Sequence, residues 1–87
     1  MNSQKTQKIF NVGDLVEWKA LVRSVQPGKP FRNVEALGIV KKIIGRDTLE
    51  LKVVSANKDC REYLNALKDL SAWENLPVSI IECEVRA

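Results

Sequence analysis

The 87-residue chain has no histidine, two cysteines, five aromatic residues, four glycines and three prolines. Without histidine, the usual neutral-pH general base is missing, together with Ser-His and Cys-His nucleophile pairs and the commonest metal ligand. Cys60 and Cys83 cannot by themselves complete a tetrahedral zinc site. In a chain without secretory features they read as reduced thiols rather than as a disulfide framework. No apolar run approaches the roughly 20 residues of a membrane-spanning helix. The start, Met1-Asn2-Ser3-Gln4-Lys5-Thr6-Gln7-Lys8, has no apolar stretch of signal-peptide length. A cytoplasmic location with no membrane partner is therefore expected.

Length excludes more. A domain this small buries only about 60% of its unfolded surface, so its apolar residues are committed to one core and few are left to line a pocket. No glycine-rich loop runs into Lys-Ser or Lys-Thr to cradle phosphates. Glu82 and Glu84 alternate along one strand face, but a carboxylate pair does acid–base work only in a cleft, which so small a core hardly supplies. The expectation is a protein without catalytic residues, metal, cofactor or small-molecule substrate.

What is present is mostly strand-forming. Residues 1–8 lack periodicity and read as a flexible polar arm, with a single domain over 9–87. Val12-Gly13-Asp14 is a turn signal that leads into a strand from about Leu15 to Val22, with Val16 and Trp18 on one face and Glu17 and Lys19 on the other. Gln26-Pro27-Gly28-Lys29-Pro30 breaks the pattern, and a cationic loop of some fifteen residues follows the first strand. Glu35 to Ile44 is a second strand, in which Gly38 marks a bulge or a close backbone approach. After the turn Gly45-Arg46-Asp47, Leu49, Leu51 and Val53 alternate with Thr48, Glu50 and Lys52, the pattern of a strand with one buried face.

The period then changes. Cys60, Tyr63, Leu64, Leu67 and Leu70 recur at three- and four-residue spacing, giving an apolar stripe on a helix of about three turns. Asp59 and Glu62 fit a capping box at its start. Ser71 and Glu74 repeat that spacing, so a short turn is expected to restart after Leu70, and the helical insertion covers about 59–76. From Val78 to Val85 strand chemistry returns, with Ile81, Cys83 and Val85 facing one way and Glu82, Glu84 and Arg86 the other. The fold class expected is mainly β, a small barrel of about five strands with one inserted α-helix.

Two segments carry a resemblance. Val12-Gly13-Asp14-Leu15-Val16-Glu17-Trp18, followed by Leu37-Gly38-Ile39-Val40-Lys41-Lys42-Ile43, resembles the SH3-like barrels, above all the KOW-type barrels of transcription and ribosomal proteins. The chain is also similar to short barrel proteins of bacteriophage genomes, which close on an acidic-apolar strand like Ile80-Ile81-Glu82-Cys83-Glu84-Val85. The resemblance implies an SH3-like barrel and a non-catalytic accessory role beside nucleic acid or a nucleic-acid-bound machine.

Charge suggests where binding would occur. The formal net charge is +3. It is unevenly spread, because the chain up to Arg46 carries +6 and the remainder −3. Were the first hairpin and its loop to share a face, Lys19, Arg23, Lys29, Arg32, Lys41, Lys42 and Arg46 would form a basic surface for phosphates, with Trp18 or Phe31 as a stacking ring. The same lysines on outward strand positions would also simply protect sheet edges, with Trp18 in the core. The second expectation is a protein-interaction or self-assembly module, including an inhibitor of another protein, that uses an edge strand or the inserted helix through Tyr63 and Trp73. The acidic helix face of Asp59, Glu62, Asp69 and Glu74 reads as ordinary solvent exposure.

Overall fold

Val16 and Trp18, then Val34, Ala36 and Val40, then Leu49 and Leu51, alternate with wetter neighbours, and all seven are buried. The computed structural model of the chain, which describes residues 9–23, 27–28, 30–67 and 70–86, places them on one face of a single sheet. Five strands build it: β1 (Leu15–Arg23), β2 (Phe31–Ile44), β3 (Thr48–Ala56), β4 (Leu76–Ser79) and β5 (Cys83–Val85). All pairs are antiparallel, in the order β4-β3-β2-β1-β5. One helix, α1 (Lys58–Ala66), and a 3₁₀ turn at Leu70–Trp73 lie between β3 and β4. A second 3₁₀ turn, Ile80–Glu82, joins β4 to β5. The fold is thus mainly β with a single helix, as expected, while the hydrogen-bonded sheet stays open between β4 and β5.

Register follows side-chain size. Trp18 lies opposite Ala36, and Val16 opposite Gly38, so bulk on β1 meets small residues on β2. Gly38 sits at a register shift between β2 and β3. A Cβ there would stand 3.0 Å from the Lys52 carbonyl oxygen and 3.1 Å from Leu51 Cβ. The glycine therefore permits the close approach that its place in the strand suggested. Before β1, Gly13 adopts φ +96°, a conformation glycine takes without penalty. Its N–H donates to the Val40 carbonyl at 2.9 Å, and the Val40 N–H donates to the Asp14 carbonyl at 3.0 Å, which fixes the turn beside β2.

Four boundaries differ from the sequence reading. β2 begins at Phe31 rather than Glu35, so the connection from β1 is residues 24–30 and not some fifteen. Arg32 occupies a core-face position in this early stretch and hides the alternation that Val34 and Ala36 continue. The helix is capped by Asn57, whose Oδ1 accepts from the Cys60 N–H at 2.8 Å, and not by an Asp59–Glu62 box. It ends at Ala66, leaving Leu67 exposed, while Cys60 and Leu64 are buried against the sheet. The tail is not one strand, since the 3₁₀ turn interrupts it and exposes Ile81 while Cys83 is buried. The expected restart after Leu70 is present as the 3₁₀ turn, with the Glu74 and Asn75 N–H groups both donating to the Ser71 carbonyl. The polar arm at 1–8 lies outside the described residues.

The core is continuous across these elements. Phe10, Ala72, Leu76, Val78 and Cys83 complete the cluster, with Tyr63 and Trp73 packed against its margin. Burying each such Val or Leu contributes about 1.5–3 kcal/mol, so the sheet face and the helix stripe supply most of the cohesion.

Candidate interaction surface

Opposite the core lies a sheet face with no layer over it among the described residues. Strand partners share a face, and on this side the cross-strand pairs are Leu15 with Ile39, Glu17 with Leu37, Lys19 with Glu35, Leu21 with Asn33, and Arg23 with Phe31. Lys52 of β3 lies beside Ile39, and Lys42 beside Glu50. Leu21 and Phe31 are 65% and 56% exposed, and Leu15 and Ile39 are each 39% exposed. This is an apolar stripe set among charges of both signs.

The cations expected on one basic face are divided. Lys19, Arg23 and Lys42 lie on the outer sheet face, where Lys19 stands opposite Glu35 and 3.9 Å from Glu17, and Lys42 opposite Glu50. Arg32 lies on the core side of β2, and its guanidinium meets Glu62 of α1 at 2.7 Å. Lys41 occupies a register shift, where its Nζ donates to Asn75 Oδ1 at 2.6 Å. Arg46 is in the β2–β3 turn, at the opposite end of that hairpin from Phe31. Lys29 lies outside the described residues. Arg23 has no ion pair among the described residues and faces Phe31.

The other candidate side chains are engaged in packing. Trp18 is buried, and its indole N–H donates to Glu82 Oε2 at 3.2 Å. Tyr63 and Trp73 are half-buried against the core and do not stand out as a patch. Glu82 sits in the 3₁₀ turn and Glu84 in β5, opposite Glu17 in the register. Cys60 and Cys83 are both buried and unbridged. No group of three metal-ligating side chains occurs among the described residues. No helix among them is long and apolar enough to cross a membrane.

Leu15, Leu21 and Ile39 are not among the site residues expected from the sequence, in which most apolar residues are committed to one core. Their signal was present in the parity. Val16 and Trp18 face inward, so Leu15 and Leu21 must share the outer face with Glu17 and Lys19.

Both sheet edges are short. β4 spans four residues and includes Pro77, which lacks the N–H needed for a further ladder. β5 spans three and pairs only with Val16, Glu17 and Trp18. Lys19–Arg23 of β1 therefore has β2 on one side and no strand on the other among the described residues. No family model, curated protein or solved structure matches this chain.

Proposed function

We propose that this protein is a non-catalytic binding module of the SH3-like barrel type whose partner is another protein. The barrel assignment is supported by the strand order, in which β1 lies between β2 and β5, and by the 3₁₀ turn that joins the last two strands. The observation that carries the protein-binding reading is the outer face. There Leu15, Leu21, Phe31 and Ile39 are exposed, while Lys19 and Lys42 stand beside carboxylates instead of forming a phosphate-binding stripe. Exposed apolar groups rimmed by mixed charge suit a protein surface, whereas a nucleic-acid face needs cations whose charge is not already offset.

The test is a tagged capture from lysate of the producing cell, with and without nuclease, paired with a salt titration against a random single strand and a random duplex. The expected result is nuclease-resistant capture of a defined protein and no nucleic-acid affinity that falls steeply with salt. Capture lost on nuclease treatment, together with a steep salt dependence, would replace this reading with nucleic-acid binding through Arg23, Phe31 and the loop beside them.

A further inference from the structure

Resting on that reading, we infer that the open edge of β1, Lys19–Arg23, takes an extended segment of the partner as an added strand, and that this segment carries carboxylates on both sides of an apolar residue. Among the described residues the edge carries no further strand, because the β1–β5 ladder begins only at Cys83, opposite Trp18, and the Ile80–Glu82 turn before it lies beside Lys19 without continuing the pairing. Alternate residues of a strand send their N–H and C=O groups to one side, so a stretch with a ladder on one side only presents a template on the other. Five residues provide room for a short added strand.

Side chains set its chemistry. On the outer face the edge reads Lys19, Leu21, Arg23, two cations about 13 Å apart at the usual strand rise with an exposed leucine between them. An antiparallel strand added here places its own residues directly opposite these three. Carboxylates facing Lys19 and Arg23, and an apolar side chain facing Leu21, are the favourable pairings. Arg23 carries more of this preference, since Lys19 already neighbours Glu17 and Glu35 while Arg23 neighbours Phe31. On the other face Ala20 and Val22 are only half-buried against the core and can accept further apolar cover.

The same arithmetic disfavours a second copy of this chain. Pairing two β1 edges antiparallel about Leu21 would set Lys19 opposite Arg23 twice, placing like charges together on one face. Self-pairing centred on Leu21 is thus disfavoured, whereas an acidic segment meets both cations.

The probe is a pair of synthetic peptides of about ten residues, strand length with flanks, one alternating Glu with Val and the other alternating Lys with Val. Each is titrated into the full chain, with binding followed by backbone amide NMR. The Glu peptide is expected to shift the amides of residues 19–23, to bind about tenfold more tightly than the Lys peptide, and to weaken as salt rises. K19E/R23E should reverse the preference, and R23E alone, at an exposed position, should diminish it should the double variant fail to fold. Equal binding of the two peptides, or none, overturns the inference, as does a shift that maps away from this edge. A captured protein whose binding survives K19E/R23E also overturns it while leaving the protein-binding reading intact. Loss of all capture with nuclease instead removes that reading itself.

Discussion

The indole N–H of Trp18 donates to Glu82 Oε2 at 3.2 Å across 64 positions of sequence, tying the centre of β1 to the turn that starts β5. Trp18 is otherwise buried, so the carboxylate satisfies a donor that would be poorly hydrated without it. Glu82→Ala should lower stability by about 1 kcal/mol, the usual net worth of such a bond, while Glu82→Gln keeps an acceptor and should recover most of the loss. Urea midpoints at unchanged m-value measure both. An Ala variant as stable as the wild type would show that water replaces the carboxylate.

Asn57 holds three elements at once. Its Oδ1 accepts from the Cys60 N–H at 2.8 Å and from the Glu35 N–H at 3.3 Å, and its Nδ2 donates to the Asn33 carbonyl at 3.1 Å. It therefore caps α1 and fastens the helix start to β2. Asn57→Ala should destabilise by about 2 kcal/mol, at the upper end for an N-cap because the β2 bonds go with it. Asn57→Asp keeps the acceptor and loses the donor, so its thermal midpoint should fall between those of the wild type and the Ala variant. Equal loss in both variants would place the stabilisation in the Asn33 bond rather than in the cap.

Much of this architecture was legible because the sheet has one buried face. Leu49, Leu51 and their polar alternates set the first part of β3, and Val16 with Trp18 set β1. What escaped depends on tertiary partners. Arg32 stands in a core-face position that reads as loop until its ion pair with Glu62 is seen. Ile80 and Ile81 look like strand, yet the Ile80 N–H is taken by the Asp47 carbonyl at 2.9 Å from the β2–β3 turn, which bends the tail into a 3₁₀ turn. The proposed edge escaped for a related reason. Lys19 and Arg23 read as charges in the sequence, whereas their place at an edge depends on β5 beginning only at Cys83, opposite Trp18.

Gly38 offers a steric test of the β2–β3 register. Its backbone is not in the positive-φ region, so only space limits a substitution there. Gly38→Ala would place a methyl 3.0 Å from a carbonyl oxygen that belongs to the ladder and cannot swing aside, and should cost about 1–3 kcal/mol as overpacking. Gly28→Ala meets nothing within 4 Å but sits at φ +81°, and should cost about 1 kcal/mol through backbone strain alone. Chemical denaturation of the two variants compares these causes. A Gly38→Ala protein as stable as the wild type would mean that β3 can slide to admit the methyl.

Cys60 links burial to pH. It is fully buried between α1 and the sheet, and desolvation pushes its thiol from the ordinary 9.0 up to about 11. Between these values the unfolded chain has released the proton while the folded chain retains it. The unfolded state thus binds fewer protons, and stability falls as pH rises. The contribution is fully present below pH 9.0 and is lost as pH passes through about 11. Alkaline pH acts on the whole chain, so the informative quantity is the difference between the wild type and Cys60→Ala. The Ala variant should be less stable at neutral pH because it leaves a small cavity, but its stability should decline less steeply from pH 9 to 11, narrowing the gap. At pH 8 the native thiol should also react slowly with alkylating reagents, because the thiolate is the nucleophile and is scarce there. Parallel pH profiles for the two proteins would show that Cys60 ionises as freely when folded as when unfolded, and that its burial does not govern the alkaline limit of the fold.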